Sequence, residues 1–241
     1  MTISASATRM RLDRFVSQEL GLSRAQAKRL LSQGRAHVDG EVVRDPAHGV
    51  TPQQAISVDD AMLEWPRHHY LMLHKPLGVV CSTSDPTHTP VHQLVDRPWA
   101  ERLHAAGRLD ADSSGLVLLT SDGAWSHALT SPRRHCDKHY RVRLSQPLDT
   151  ALVERFAAGI VLNDSPVPTL PATLIVLDSH NARIVLREGR YHQVRRMFAA
   201  CGNHVDALHR ERIGPLPLDS ALAPGQWREL SPAEVELATH G

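Results

Sequence analysis

Asp110 and Asp112 stand two residues apart in Gly107-Arg-Leu-Asp-Ala-Asp-Ser-Ser-Gly115, and an apolar run, Leu116-Val-Leu-Leu119, follows at once. Two carboxylates beside Arg108 can do acid–base, nucleophilic or metal chemistry. The apolar run is too short for a lone helix. Gly115 and Ser121-Asp-Gly123 bound it, so it reads as a buried strand. Asp110 then sits on a loop held by a core strand, where a scaffold presents reactive groups. Asp110-x-Asp112-x-Ser114-Gly115 also opens like a calcium loop. Ser121, however, stands where that loop needs a bidentate Glu, and a strand follows where a helix should exit. A phosphatase pattern needs an apolar strand ending at its first Asp, which His104-Ala-Ala-Gly-Arg-Leu109 is not. A plain Asx turn remains the bland reading of the stretch.

Other residues with chemical potential recur along the chain. His74-Lys75-Pro-Leu-Gly78 breaks one strand and starts another. Lys138-His-Tyr140-Arg-Val-Arg-Leu144 alternates as a strand. Glu188-Gly-Arg190-Tyr-His-Gln-Val-Arg195-Arg-Met-Phe198 begins as a turn and becomes a helix. Val194, Met197 and Phe198 mark its buried side, with Arg195 near the border. Leu208-His-Arg210-Glu-Arg212-Ile-Gly214 closes the set.

The elements that must position these residues can be read in order. Residues 1–8 are Ser/Thr/Ala-rich and expected to be disordered. Leu12, Phe15, Val16 and Leu20 share one face of a helix that Gly21 ends. Ser23 caps a second helix, Arg24 to Ser32, with Ala27, Leu30 and Leu31 on its apolar side and Arg24, Lys28 and Arg29 on the other. Two short strands follow around Asp39-Gly40. Residues 60–69, with Trp65-Pro66, read as a linker to a larger domain over 70–241. Helices are expected over Gly123–Thr130, Thr150–Gly159 and Pro232–Leu237, and a hairpin over Ala172–Asp178 and Ala182–Arg187.

The 241 residues are 41% hydrophobic, enough for one large or two smaller domains. No apolar run approaches ~20 residues, and no apolar core follows the polar start, so neither a membrane span nor a secretory signal is expected. Cys81, Cys136 and Cys201 are widely spaced and form neither a disulfide framework nor a Cys-x-x-Cys site. A reducing cytoplasm is the simplest location. Net charge is only +1, but from Arg9 to Arg44 eight Lys/Arg face four Asp/Glu. Basic clusters in a neutral total suit a protein that lays one face on phosphates.

Helix, basic helix, then Arg35-x-x-Val-Asp-Gly40 over residues 9–59 is similar to the S4-type (αL-like) RNA-binding domain. Gly-Arg-Leu-Asp110, Tyr70…Lys75-Pro-x-Gly78, Lys138-x-Tyr140 and Gly-Arg-Tyr-His-Gln-Val-Arg195 resemble the motifs of the RNA pseudouridine synthases. Tyr-His-Gln-Val, Met-Phe-Ala-Ala and Leu-His-Arg-Glu-Arg-Ile-Gly resemble the RsuA-type, small-subunit group. The resemblance implies an α+β fold: a small S4-type domain, then a synthase domain on a mixed, mostly antiparallel sheet with flanking helices. It implies that Asp110 is the catalytic carboxylate, with Arg195 its ion pair and Tyr140 stacking on the base or moving a proton. Arg108 would support the flipped nucleotide. Arg24, Lys28, Arg29, Arg35, Arg190, Arg210 and Arg212 become candidates to hold RNA, and Leu208 and Ile213 to flank the base.

The expected reaction is isomerisation of a uridine in the 5′ domain of 16S rRNA, free or in a small-subunit ribonucleoprotein. No cofactor, metal, membrane or obligatory protein partner is expected, and the chain should act as a monomer. A synthase acting on large-subunit rRNA and a non-catalytic S4-type assembly factor are the alternatives. A metal-dependent hydrolase using some of the sixteen His lacks any His-Glu-x-x-His spacing.

Overall fold

A computed structural model describes residues 9–65, 67–131, 136–163 and 165–240. The extension expected over 1–8 lies outside the described residues. The chain divides into two units, Met1–Arg67 and His68–Gly241.

In the first unit β1 (Met10–Arg11) runs into α1 (Leu12–Glu19), and α2 (Arg24–Ser32) follows. Ser23 and Gln26 form a capping box that satisfies the first free N–H groups of α2. Leu12, Phe15 and Val16 from α1 pack with Ala27, Leu30 and Leu31 from α2. Leu20 lies past the end of α1 and is exposed. The strands β2 (Ala36–Val38), β3 (Glu41–Val42), β4 (Gly49–Val50), β5 (Ile56–Val58) and β6 (Ala61–Leu63) complete the unit. β3-β2-β5-β6 is one antiparallel sheet, and β4 pairs with β1.

The linker expected over 60–69 is therefore corrected. Asp59 and Asp60 both adopt positive φ, 51° and 65°, which makes a tight hairpin turn into β6. Trp65 then stacks on Phe15 with ring centroids 4.8 Å apart. Two aspartates carried the turn where the usual signal is Asn-Gly or Asp-Gly, so the strand beyond it was hidden.

The second unit holds β7 (Tyr70–Lys75), β8 (Val79–Val80), β9 (Thr89–Pro90), β10 (His104–Ala105), β11 (Ser114–Thr120), α3 (Gly123–Thr130), β12 (Lys138–Leu144), α4 (Leu152–Ala158), β13 (Thr173–Val176), β14 (Asn181–Leu186), α5 (Gln193–Ala199), β15 (Val205–Ile213), β16 (Leu216–Pro217), β17 (Trp227–Glu229) and α6 (Pro232–His240). Among the described residues, one nine-stranded sheet follows the order β13-β14-β12-β15-β11-β7-β17, with β10 on β11 and β16 on β15. Only β11 and β15 pair in parallel; every other pair in that sheet is antiparallel. The expected mixed, mostly antiparallel sheet with flanking helices is what forms.

The run Leu116–Leu119 is apolar at every position because β11 is covered on both faces. Val117 and Leu119 enter a core shared with Leu71, Tyr140 and Val142, closed by Phe156 of α4 and Met197 and Phe198 of α5. Leu116 and Leu118 enter a second core with Met72, Trp125 and Leu129 of α3, and Ala238 of α6.

The parallel pairing of β11 with β15 is short, Ser114 with His209 and Gly115 with Arg210. A Cβ at Gly115 would lie 2.3 Å from the Arg210 carbonyl oxygen and 2.6 Å from its nitrogen, and φ is +111°. Only glycine fits both demands. Gly115→Ala should destabilise the second unit by ~3 kcal/mol or more, from strain and clash together. Its thermal transition should fall by roughly 5–10 °C in a melting experiment; an unchanged transition would refute this close approach.

Candidate active site

Asp110 lies on the loop between β10 and β11, and that loop is held from beneath by two buried cations. The Lys75 side chain is fully buried, and its Nζ donates to the carbonyls of Ser113 (2.6 Å) and Pro76 (3.0 Å). Burial lowers the Lys75 pKa, while Cys81, Asp110 and Asp112 pull it back up. Arg210 is 1% exposed. Its Nε donates to the Leu116 carbonyl (2.7 Å), Nη1 to that of Arg108 (3.2 Å) and Nη2 to that of Gly107 (3.1 Å). The loop start, the loop end and the strand are thus fastened to fixed guanidinium and ammonium groups.

The reactive side of the loop faces α5. His192, at the N-terminal cap of α5, adopts a left-handed backbone with φ 49° and ψ 32°. Its Nε2 lies 3.4 Å from Asp110 Oδ1. Tyr191, 75% exposed, stacks on the His192 ring at 3.8 Å. A bulky residue in that conformation is uncommon, and such strain gathers at functional sites. Sequence reading assigned His192 no chemistry, although Tyr-His-Gln-Val had drawn notice as a motif. The missing signal is conformational, since nothing in the letters marks a left-handed cap.

Arg195 meets the loop at the other carboxylate. Its Nη2 lies 3.0 Å from Asp112 Oδ2 and donates to the Asp112 carbonyl, while Nη1 donates to the Val205 carbonyl (2.6 Å). The expected Arg195–Asp110 ion pair is therefore replaced by Arg195–Asp112 in this structure. The buried Arg195 Nε has no hydrogen-bond partner.

Two other expectations change on burial. Arg210 is the strut just described, so it is not a phosphate contact. All of the Arg190 guanidinium nitrogens are spent within the protein: Nε on Glu188 (3.1 Å), Nη1 on the Val167 carbonyl and Nη2 on that of Pro168. It clamps a loop and is not free to hold RNA.

The remaining candidates fall as follows. Arg108 is exposed beside Asp110. Tyr140 is 8% exposed and Leu208 6%, on one face of neighbouring strands, whereas Ile213 packs into the second core with Met72 and Leu116 and so does not stand beside Leu208. In the first unit Arg24 pairs with Asp13 and Arg35 with Asp59, whereas Lys28 and Arg29 are exposed. Among the described residues no group of three His, Cys, Asp or Glu could hold a metal ion, and no helix is long and apolar enough to cross a membrane.

The loop thus presents the partly exposed Asp110 carboxylate beside the start of α5, with Lys75 and Arg210 buried beneath its backbone. The RNA pseudouridylate synthase family model matches residues 69–200, and the S4 domain model matches residues 10–56. The chain belongs to the RNA pseudouridine synthases. It is 51% identical over 229 residues to ribosomal small subunit pseudouridine synthase A of Escherichia coli (strain K12), covering 94% of this chain and 98% of that one. The Haemophilus influenzae enzyme of the same name is 44% identical over 228 residues, with the same coverage. A crystal structure of a pseudouridylate synthase aligns with a TM-score of 0.70 at 43% identity, covering 95% of this chain and 99% of that one. Lys75, His192, Arg195 and Arg210, each from a motif read in the sequence, all meet the loop that carries Asp110.

The strut role of Arg210 separates it from a phosphate contact by experiment. Arg210→Met should leave the Gly107, Arg108 and Leu116 carbonyls without their charged donor, at a cost of about 2–4 kcal/mol. Stability in chemical denaturation and turnover should fall together. A phosphate contact would instead lose RNA affinity with stability intact.

Proposed function

We propose that this synthase isomerises a uridine in the 5′ domain of small-subunit rRNA to pseudouridine, with Asp110 as the catalytic carboxylate. The high identity to small-subunit enzymes along nearly the whole chain supports the substrate class. The observation that carries the catalytic assignment is the position of Asp110. It is a carboxylate on a loop tied down by Lys75 and Arg210, with its own oxygens left to His192 and solvent. The reaction breaks the bond from C1′ to N1, turns the uracil and rejoins it to C1′ through C5; the C5 hydrogen leaves as a proton and N1 takes one up, so the net change is an isomerisation. It needs no redox step and no external group, so the protein must supply a base or nucleophile and a place for an extruded nucleotide.

Arg195 acts on this loop from α5. Its buried Nε–H is unpaired in the free protein, which costs about 1–3 kcal/mol and marks a donor kept for a later partner. With RNA bound, that partner is Asp110, whose carboxylate the guanidinium pairs and orients. Tyr140 lines the base site from β12 with Leu208 beside it, and Arg108 fills the space the nucleotide leaves. Lys28 and Arg29 on α2 contact phosphate, and Arg24 and Arg35 keep their pairs with Asp13 and Asp59. The enzyme works as a monomer.

Asp110→Asn should reduce tritium release from uracil-labelled rRNA below detection, with RNA affinity within a few fold (order of magnitude) of the parent. Arg195→Ala should also fail. Asp112→Asn should lose only a few fold, because the pair it breaks is 62% exposed on the Asp112 side and Arg195 keeps both carbonyl contacts. Substantial turnover by Asp110→Asn would overturn the assignment.

Lys28→Glu with Arg29→Glu should weaken RNA binding and flatten its salt dependence by about two in slope, leaving single-turnover chemistry at saturating RNA unchanged. A filter-binding titration across salt concentrations tests this. An unaltered slope would give α2 some other task.

A further inference from the structure

The half of the large sheet formed by β13, β14, β12 and β15 turns one face to the core and the other to solvent. Tyr140, Val142 and Leu144 point into the core beneath α4 and α5. Alternation then sends His139, Arg141 and Arg143 to the opposite face. Their cross-strand partners complete the surface. Arg141 stands across from Arg183 on β14 and from His209 on β15, and His139 stands across from Val185 and Arg212. Four arginines, Arg141, Arg143, Arg183 and Arg212, share this face with Glu211; the other carboxylate on these strands, the exposed Asp206 at the start of β15, accepts the Ser145 hydroxyl.

Like charges placed directly opposite each other destabilise a sheet. Glu211 relieves the Arg141–Arg183 clash by accepting the Nε–H of both, at 2.9 and 3.0 Å. That leaves the outer Nη groups of both arginines without partners among the described residues. Arg143 and Arg212 are exposed and form no ion pair there. A concavity of about 580 Å³ opens against this surface, lined by His139, Arg183 and Arg212 with Ile175 and Leu218 as apolar neighbours. Its other carboxylate, Asp219, is held by Arg228 at 2.7 Å. Burial and nearby arginines keep His139 and His209 toward the neutral form, so the positive charge here is guanidinium.

We propose that this face is a second RNA-contacting surface, which takes the phosphodiester backbone of the substrate at a segment remote from the reacting uridine. Charge complementarity selects the occupant: clustered guanidinium groups with spare Nη donors match phosphate oxygens. The two contacts must be separate. Asp110 meets His192 at the start of α5, and α5 packs on the core face of the sheet, whereas the arginines lie on the other face. A nucleotide at Asp110 and a phosphate at Arg143 therefore belong to distant parts of a folded RNA. The proposal rests on RNA being the substrate and adds how the enzyme selects a large one.

The test uses the full chain carrying Arg143→Glu, Arg212→Glu or both. Arg155→Glu, an exposed change on α4 over the core face, controls for general loss of positive charge. Binding is measured over a salt series to full-length small-subunit rRNA and to a short stem–loop carrying a target uridine. For the long RNA each change should weaken affinity several fold beyond the control and lower the salt slope by about one. KM should rise with kcat unchanged at saturating RNA. The stem–loop should respond no more than it does to Arg155→Glu. Should a charge reversal unfold the protein, Arg143→Gln and Arg212→Gln should give the same pattern at smaller amplitude.

Affinity and slope for the long RNA equal to those of Arg155→Glu would overturn the proposal. So would equal losses on both RNAs, or loss of self-association or of a protein contact with RNA affinity kept. Failure of the parent to make pseudouridine in this rRNA would count against the proposed activity alone, because the binding series reads the surface independently.

Discussion

The buried guanidinium of Arg210 is the contact on which the rest of the catalytic unit depends. It joins β15 to the Leu116 carbonyl of β11 and to the Gly107 and Arg108 carbonyls of the loop before it. Burying a cation is costly unless every donor is used, and here Nε, Nη1 and Nη2 each reach a carbonyl oxygen. The carbonyls gain as well, since a loop passing under a core strand would otherwise bury them unpaired. Gly115 allows this geometry by letting the backbones of β11 and β15 approach within the space of a missing methyl group. Lys75 does the matching work further along the loop, at the Ser113 carbonyl. Two positive charges beneath one loop also set its electrostatics. They favour carboxylates at its surface, and the loop carries two.

The division between Asp110 and Asp112 follows from their places on that loop. Asp110 has its side chain about one-third exposed, with His192 Nε2 3.4 Å from its Oδ1. Asp112 reaches over to Arg195 and is well exposed. Two carboxylates two residues apart on a turn point in different directions, so a guanidinium arriving from α5 meets one and passes the other. Arg195 therefore holds the more exposed carboxylate of the two, and its buried Nε is left without a hydrogen-bond partner.

Much of the architecture was legible because local signals agreed with one another. Ser23 marked the start of α2, Ser121-Asp122-Gly123 marked the end of β11, and the alternation from Lys138 to Leu144 gave β12 its bounds. Asp110 was legible as a loop residue because an uninterrupted apolar run can only be a strand covered on both faces. What stayed hidden depended on tertiary placement. Arg190, Arg210 and Arg212 all lie in a basic stretch and look alike in sequence, yet one clamps a loop, one is a buried strut and one is exposed. Strict alternation along β15 would put Arg210 and Arg212 on the same face.

Register supplies the reason they differ. The pairing of β12 with β15 shifts between His139 and Tyr140, so Tyr140 faces Arg210 while His139 faces Arg212. One extra residue, Glu211, is absorbed there as a bulge. The bulge turns Arg210 toward the core, where it can hold the catalytic loop, and turns Arg212 to the open face. It also frees Glu211 from strict pairing, so that its carboxylate can sit between Arg141 and Arg183. A second shift, between Arg143 and Leu144, lets β15 begin with Val205 in the core, where its carbonyl receives Arg195. Both sides of the sheet are thus set by the same irregular strand. Without the bulge at Glu211 the strut under Asp110 and the arginine at Arg212 would compete for one face, and the reactive loop would lose its anchor.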